Sequence, residues 1–401
     1  MIKRGVIQQI EPFLTTDDVI LLYGARQVGK TSIMKYLQTE YFPDNSLFFD
    51  LEEEEHLKIF SQKSQEKFIE YLKAFHDRTP DQKMTIFIDE VQYLDNPTGF
   101  LKYLHDHYEH LKFIVSGSST LEIRNKMKDS MVGRLMRFDI FPLSFEEFLV
   151  FRGKENLVKF IGAGVALSSV NQSIIDEDLK MLYEEFITFG AYPKVILSHN
   201  ILEKKAYLKQ IFETYIQKDI KDIGKIREVE HFNTLVKMLA EQAGNLVNIT
   251  ELSNKLGSSI NTIKERLLLL ENTFVIKFVY PFSGNIRGEL TKMPKVFFID
   301  NGLRNAIYEN YEITGNSFEN TFFAHINNAY KAKSINFYRT KDKQEIDFVL
   351  DGKPYELKES YTGKNLTALN AFHEKYQQKG TVITLNKREN PKYDVAFPRE
   401  V

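Results

Sequence analysis

A glycine-containing turn between two apolar segments constrains this chain more than any other feature. The apolar run 19–23 leads into Gly24, and Gly29, Lys30 and Thr31 follow with the spacing G-x-x-x-x-G-K-[ST]. After the turn, apolar residues recur at helical spacing. The sequence therefore predicts a buried strand, a phosphate-binding loop and a helix, in that order.

Each residue type in this turn suits a nucleotide phosphate. Glycine lets backbone N–H groups approach an anion, and the start of the following helix directs its positive end toward it. Lys30 is expected to reach the β- and γ-phosphates, and the Thr31 hydroxyl to bind Mg²⁺. The candidate nucleotide-binding residues are Gly24, Ala25, Arg26, Gln27, Val28, Gly29, Lys30, Thr31 and Ser32, with Asp89 and Ser116 from later strands.

Strand-like and helix-like segments alternate from residue 19 to about residue 148. Short apolar runs predict strands at Val19–Tyr23, Ser46–Leu51, Met84–Asp89, Lys112–Ser116 and Met136–Leu143. Such runs are typical of parallel strands that are buried on both faces, with helices between them. This part of the chain is therefore predicted to be a doubly wound α/β domain.

Two acids end the third predicted strand. Asp89 would hold Mg²⁺ through its water shell, and Glu90 would orient and deprotonate an attacking water. Ser116 ends the fourth strand, where its hydroxyl is a candidate for sensing the γ-phosphate. The alternative for Ser116 is a simple Ser/Gly turn.

An arginine before the fifth strand is a candidate for catalysis between subunits. Arg134 is the leading candidate, ahead of Arg124 and Arg137, for an arginine finger that acts on the nucleotide of a neighbouring subunit. This assignment predicts a homo-oligomer.

Together these motifs resemble the prokaryotic AAA-type ATPases that carry a C-terminal domain of unknown function 4143. The resemblance covers nearly the whole chain and rests on segments 24–31, 88–92, 116–119, 133–134, 141–148, 293–303 and 345–348. It implies a P-loop AAA+ core that binds ATP and Mg²⁺, a helical lid and a C-terminal module.

Composition limits what the remaining modules can do. The formal net charge is −2, so a DNA contact must come from a local basic patch. The chain has no cysteine, which excludes disulfides, iron–sulfur clusters and thiolate zinc sites. Because no apolar run approaches the ~18 residues of a transmembrane helix, we expect a cytoplasmic protein without membrane contact.

Four modules are predicted. They are a P-loop ATPase core (1–150), a helical lid (151–226), a winged helix-turn-helix (227–310) and an α/β restriction-endonuclease-like domain (311–401).

The third module is predicted from two short helices and two strands. Thr250 is expected to cap the first helix and Gly257 to end it, and strands follow at Val275–Pro281 and Lys295–Asp300. The buried face of the second helix is expected to carry Ile260, Ile263, Leu267 and Leu270. Its exposed face is expected to carry Asn261, Thr262, Lys264 and Arg266. These exposed residues would contact DNA; the alternative is a packing module that only joins domains.

The last module contains a hairpin signal at 351–352, an Asp-Gly pair. A two-residue loop there places Asp347 opposite Glu356. Alternation puts Ile346 and Phe348 together on one core face. Two facing carboxylates are destabilising unless a cation bridges them, and a divalent metal would do so.

The same hairpin resembles the D…ExK core of the PD-(D/E)xK nucleases. The resemblance implies that Asp347 and Glu356 hold Mg²⁺ with help from Glu319, and that Lys358 assists the attacking hydroxide. Ile346 stands where that family has proline. The alternative is a solvated hairpin face without a metal, in which Lys358 neutralises Glu345.

Two functions are consistent with these modules. One is an ATPase that acts on DNA through the winged helix and the nuclease-like domain. The other is a nucleotide-dependent switch whose C-terminal modules bind a protein partner without cutting DNA.

Overall fold

The computed structural model describes residues 2–60, 65–76, 83–118, 131–161, 169–216, 229–282, 292–329, 332–340, 342–361, 363, 366–386 and 393–401. Arg124 lies outside these residues. The chain divides into two compact units. The first is Met1–Phe141 with Asn272–Phe274, and the second is Pro142–Glu271 with Val275–Val401.

The first unit is built on a parallel sheet. Its helices are α1 (Ile7–Ile10), α2 (Lys30–Tyr41), α3 (Glu54–Phe60), α4 (Glu66–His76) and α5 (Pro97–His107). Its strands are β1 (Val19–Gly24), β2 (Ser46–Asp50), β3 (Met84–Asp89), β4 (Leu111–Ser118) and β5 (Leu135–Ile140). The strand order is β2-β3-β4-β1-β5, and all neighbours are parallel. The predicted α/β class with a parallel-sheet core is confirmed.

Buried strands and an aromatic cluster form the core of this unit. Every residue of β1 and β3 is buried, as their apolar sequences predict. Four phenylalanines pack on the sheet with ring centroids 4.7 to 5.9 Å apart, namely Phe49, Phe60, Phe68 and Phe100. Gly24 has a packing role here, because a Cβ at this position would lie 2.2 Å from the Ile140 carbonyl oxygen. Glycine is therefore required where β1 approaches β5.

The second unit contains most of the helices that follow. From residue 142 on, the described helices are α6 (Phe145–Phe151), α7 (Glu155–Val158), α8 (Ser169–Phe189), α9 (Pro193–Leu197), α10 (Ile201–Tyr215), α11 (Val229–Glu241), α12 (Ile249–Leu256), α13 (Ile260–Asn272), α14 (Asn301–Tyr308), α15 (Gly315–Asn328) and α16 (Thr367–Tyr376). The strands are β6 (Ile276–Pro281), β7 (Lys295–Phe298), β8 (Ile335–Arg339), β9 (Glu345–Leu350), β10 (Lys353–Ser360), β11 (Thr381–Asn386) and β12 (Asp394–Ala396).

One sheet joins the last two predicted modules. Its seven strands have the order β12-β11-β10-β9-β8-β6-β7. The junction is a parallel pairing of β6 with β8, in which Tyr280 pairs with Asn336 and Pro281 with Phe337. The predicted boundary at residue 310 therefore lies between strands of a single sheet.

The hairpin β9–β10 has the predicted register near its turn. Residues 348–350 pair with 353–355 as the Asp-Gly signal predicts. The paired stretch ends there, and the Asp347 carboxylate instead accepts a hydrogen bond from the Leu357 N–H at 2.7 Å. Asp347 thus joins β9 to β10 through its side chain.

A β-bulge changes which face the β9 side chains occupy. Val349 of β9 pairs with Asn336 of β8, and Ile346 pairs with Tyr338. The two β9 residues are three positions apart and their β8 partners only two, so β9 contains one extra residue. Because an extra residue reverses the alternation, Ile346 packs in the same cluster as Val349. Phe348 instead packs on Phe297 and Phe322, with centroids 5.3 and 5.4 Å away. The prediction that Ile346 and Phe348 share one face was wrong.

The helix pair α12–α13 also departs from the sequence predictions. Asn248, not Thr250, caps α12, because its side chain accepts from the backbone N–H groups of residues 250 and 251 at 3.1 and 3.2 Å. Gly257 ends α12 with φ 59°, as predicted. Ile260 is 44% exposed and Arg266 only 6% exposed. Arg266 is buried because it follows the core residue 263 by three positions and borders the same stripe.

Candidate functional site

The turn after β1 has the backbone geometry of an anion cradle. Gln27 and Gly29 have φ values of 61° and 98°, in the left-handed region that favours glycine. Alternation of left- and right-handed residues forms concavities of backbone N–H groups that bind anions. Helix α2 begins at Lys30 without a side-chain cap, and its positive end is directed at an anion bound in this turn. These residues fit a nucleotide phosphate.

Lys30 lies within this loop. Its side chain is buried, and its Nζ donates to the carbonyl oxygens of Gly24 and Ala25 at 3.2 and 3.0 Å. A phosphate oxygen forms a stronger, charge-assisted hydrogen bond with an ammonium than a neutral carbonyl does. Lys30 can therefore exchange these carbonyls for a phosphate.

Arg4 supports the loop, and the sequence analysis missed it. Its guanidinium donates to the Val28 carbonyl at 2.9 Å and to the Phe141 carbonyl at 3.0 Å, and the residue is 8% exposed. The only signal was a single arginine before an apolar stretch, in which Val6 and Ile7 are buried. Arg4 ties the phosphate loop to the chain that follows β5.

The two predicted acids lie at the end of β3 beside β4. Asp89 is 2% exposed, and the Ser116 hydroxyl donates a hydrogen bond to its carboxylate. The Glu90 N–H donates to the same hydroxyl at 3.0 Å. Ser116 therefore contacts both acids, and holding Asp89 in position is a role that its sequence context did not predict. Its contact with a γ-phosphate remains a prediction.

Glu90 has a left-handed backbone conformation, and its carboxylate accepts a hydrogen bond from a nearby side chain. Its φ of 56° places it in the left-handed region, and Gln92 Nε2 donates to its carboxylate. Gln92 was not among the predicted site residues. Its amide holds the carboxylate that is predicted to act on water.

Arg134 and the phosphate loop lie at opposite ends of the parallel strands. The Arg134 carbonyl accepts from the Val19 N–H at 2.8 Å, at the start of β1, whereas the loop follows the end of β1 about 16 Å away. Its guanidinium pairs with Asp106, with Nε 2.6 Å from Oδ1. Arg137 pairs with Asp139. Arg134 thus cannot reach its own loop, and action on another subunit's nucleotide remains a prediction.

A second group of charged residues lies in the second unit around Lys295. The Lys295 Nζ is 2.8 Å from Glu319 Oε1 and 2.6 Å from Glu345 Oε1, and its side chain is 3% exposed. Glu345 also pairs with Arg339 at 3.3 Å. The sequence analysis missed Lys295, which lies 24 and 50 residues from its two carboxylate partners.

Asp347, Glu356 and Lys358 lie beside these residues. Lys358 Nζ is 2.7 Å from Glu356 Oε1. Burial raises the pKa of Glu319 to about 8 and that of Glu356 to about 7, and it also raises the pKa of Asp347. Burial alone would lower the pKa of Lys295, but the surrounding carboxylates, Glu319 foremost, raise it above its usual value.

These acids are not arranged as metal ligands. Within the described ranges, no group of three or more histidine, aspartate or glutamate side chains could hold a metal ion. The structure brings Glu319, Asp347 and Glu356 into one charged region, with the ammonium of Lys295 among them. Metal binding by these three residues remains a prediction.

Comparisons with known proteins identify the class of this chain and then its family. An AAA domain model matches residues 16–149, and models of two domains of unknown function, DUF8612 and DUF4143, match residues 180–314 and 314–398. The first unit is therefore a P-loop ATPase domain. The whole chain is an AAA-type ATPase with a C-terminal DUF4143 domain.

Several proteins are similar to the chain over most of its length. An uncharacterized protein of Haemophilus influenzae is 26% identical over 363 residues, which are 86% of this chain and 83% of that protein. One of Methanocaldococcus jannaschii is 25% identical over 363 residues, 88% of this chain and 77% of that protein. A solved Walker-type ATPase of Pyrococcus abyssi covers 77% of this chain and 96% of its own at 12% identity, with a TM-score of 0.49.

None of the helices in the described ranges is long and apolar enough to cross a membrane.

Proposed function

We propose that this protein binds ATP with Mg²⁺ and hydrolyses it at the end of the parallel sheet. The observation that carries the proposal is the cradle formed by Gln27 and Gly29 around Lys30. Asp89 and Glu90 end β3, which runs parallel to β1 with β4 between them. The carboxyl ends of parallel strands meet at one edge, so loop and acids belong to the same edge.

Each side chain has a defined task in this reaction. Lys30 moves from backbone carbonyls to the β- and γ-phosphates, and Ser116 keeps Asp89 in place. Mg²⁺, held by Thr31 and Asp89, would neutralise charge on the phosphates. Glu90 orients the attacking water and accepts its proton. Because Gln92 donates to the Glu90 carboxylate, that hydrogen bond has to rearrange before Glu90 can act as a base.

Two substitutions test this proposal. Lys30→Ala should remove ATP binding, whereas Glu90→Gln should keep binding and lower turnover by about 10²- to 10⁴-fold. Binding is measured with a fluorescent ATP analogue and turnover by phosphate release. Lys35→Ala and Glu40→Gln are matched controls, because both residues are exposed on α2. Unchanged hydrolysis in both site variants would refute the assignment.

A second part of the proposal concerns DNA. We propose that α13 contacts DNA, which is supported by exposed Asn261 and Lys264 on one helix face. Arg266 is buried and Thr262 half-buried, so neither adds to that face. The competing role, a switch that binds a protein partner, is supported by Leu268, which is 49% exposed on the same face.

Salt dependence distinguishes the two roles. DNA binding through phosphates should weaken steeply as salt rises, and Lys264→Ala should reduce the slope by about one. Leu268→Ser should leave DNA binding unchanged but would disrupt binding of a protein partner. DNA cutting would require that Glu319, Asp347 and Glu356 bind a metal in place of the Lys295 ammonium and that Lys358 assists. No affinity for DNA at low salt would leave the partner-binding switch as the role of this module.

A further inference from the structure

We propose that the ammonium of Lys295 takes the place of a divalent cation among the buried acids of the second unit. The residues concerned, called here the Lys295 cluster, are Lys295, Glu319, Arg339, Glu345, Asp347, Glu356 and Lys358. In this proposal the native chain binds no metal at the cluster. The inference is independent of ATP hydrolysis, because all of these residues belong to the second unit.

The contacts of Lys295 carry the argument. Its Nζ lies 2.8 Å from a Glu319 oxygen and 2.6 Å from a Glu345 oxygen, so it bridges α15 and β9 from its own strand β7. A lysine ammonium is a compact charge with three donors, and it can bridge carboxylates as a small cation does. Mg²⁺ requires oxygens at about 2.0–2.1 Å on all sides. The ammonium occupies the space between these oxygens, so a metal cannot share them with it.

Packing holds Lys295 and its main partner in place. A Cβ at Gly244 would lie 2.9 Å from Glu319 Oε2, so the carboxylate packs directly on this backbone. The Gly244 N–H donates to the Val296 carbonyl at 2.8 Å, next to Lys295 in the chain. The Lys295 side chain is 3% exposed. Because the Lys295 side chain is enclosed in this way, the ammonium cannot leave its carboxylates without disrupting the packing.

The net charge of the cluster supports a lysine, rather than a metal ion, as its central cation. With every group counted as ionised, three cationic side chains, Lys295, Arg339 and Lys358, face four carboxylates, a formal charge of −1. Without Lys295 two cations would face four carboxylates, a formal charge of −2 that one divalent cation would neutralise. Glu356 Oε2 is buried and has no hydrogen-bond partner among the described residues. It would be an additional ligand if the ammonium were removed.

The test compares metal dependence before and after Lys295 is removed. The full chain, treated with EDTA and free of nucleotide, is melted with and without Mn²⁺ or Mg²⁺. The native protein should show the same melting temperature in all conditions. Lys295→Met should melt at a lower temperature and recover about 3 °C or more with Mn²⁺, because the vacated site binds the ion.

A matched variant separates a metal site from a general effect of losing a buried lysine. Lys204 is equally buried and pairs with Glu185. Lys204→Met should also lower the melting temperature, but Mn²⁺ should not restore it. Adding Asp347→Asn to Lys295→Met should abolish the recovery.

Direct Mn²⁺ binding keeps the proposal testable even if Lys295→Met does not fold. Mn²⁺ titration of the native chain, followed by electron paramagnetic resonance, should be unchanged by Asp347→Asn. If the native chain binds a Mn²⁺ ion that Asp347→Asn removes, the proposal is overturned and the acids are a metal site. A folded Lys295→Met that gains nothing from Mn²⁺ also overturns it.

Discussion

Two buried lysines, one in each unit, are held by different kinds of oxygen. Lys30 donates to the carbonyls of Gly24 and Ala25, at 3.2 and 3.0 Å. Lys295 lies between two carboxylates, at 2.8 and 2.6 Å. A carbonyl offers only a dipole, whereas a carboxylate neutralises the ammonium. Lys30 therefore still attracts an anion, and Lys295 no longer does.

The comparison shows how one residue type serves two purposes. In the first unit the lysine is part of a site that is incomplete without a ligand. In the second unit the lysine completes the charge of the site within the chain itself. The following predictions test this contrast, beginning with the largest expected effect.

ATP hydrolysis at the Lys30 site of the first unit should require a second subunit. Arg134 is about 16 Å from its own loop along β1, so it can act only on a neighbour's nucleotide. Turnover per subunit should rise with protein concentration, and Arg134→Ala should lower the plateau by up to about 10³-fold without weakening ATP binding. Arg137→Ala tests the second candidate, which also pairs with an aspartate, and should leave this plateau unchanged if Arg134 is the finger. Concentration-independent turnover would contradict the role of Arg134.

Removing each lysine should have opposite consequences. Lys30→Met should abolish the rise in melting temperature caused by ATP and change the stability of the free protein little. Lys295→Met should keep the ATP effect but lower the free energy of unfolding by about 3–5 kcal/mol, because it leaves buried carboxylates without their cation. Chemical denaturation with and without ATP measures both. If both variants lost the same unfolding free energy and the same stabilisation by ATP, the proposed difference between Lys30 and Lys295 would be wrong.

ATP binding at the phosphate loop should depend on Arg4 but not on the adjacent Lys3. Arg4→Met removes two hydrogen bonds to backbone carbonyls, and we expect KM for ATP to rise about 10-fold with kcat nearly unchanged. Arg4→Lys should restore little, because lysine lacks the planar fork. Lys3→Met is the control, since Lys3 is exposed and pairs with Glu11. An equal fall in kcat would indicate a catalytic rather than a positioning role.

A third lysine, Lys112, resembles Lys30 in having backbone carbonyls as its partners. It donates to the Phe13, Thr16 and Asp18 carbonyls, and burial lowers its pKa to about 8. The unfolded chain keeps the usual pKa near 10.5, so it binds more protons than the folded chain between pH 8 and 10.5. Stability should rise with pH in this window, by about 1 kcal/mol after allowance for partial exposure.

A matched variant isolates this contribution of Lys112. Lys112→Met lacks the titrating group and keeps every other ionisable residue. The difference in unfolding free energy between native protein and variant, measured by denaturant titration at pH 7.5 and 9.5, should shift in favour of the native protein at the higher pH. A shift in the opposite direction would mean that the lysine keeps its proton when folded.

Local motifs allowed much of the fold to be predicted from the sequence. The strand β3 has its predicted bounds, the parallel sheet was expected, and the turn 351–352 set the register of the hairpin next to it. These features depend on residues that are neighbours in the chain. The phosphate loop belongs to the same group, because its glycine and its lysine are adjacent.

Contacts between distant residues could not be predicted. Arg4 reaches a carbonyl 137 positions away, and Lys295 reaches Glu345 across 50 positions. The bulge in β9 depends on how β8 pairs with it, so alternation within β9 gave the wrong face for Phe348. In each case the deciding partner lies on another element.

The pairing of β6 with β8 determines where this chain can be cut. A fragment that ends near residue 310 would leave the end of β6 without its partner at Tyr280 and Pro281, and the complementary fragment would expose the edge of β8. Open strand edges pair with other chains, so both pieces should self-associate. Production of the C-terminal region as a separate soluble fragment should therefore begin at Pro142, where the second unit starts. The seven strands then stay together, and Asp300 and Asn301 keep their hydrogen bonds with Ala191 and Ile187.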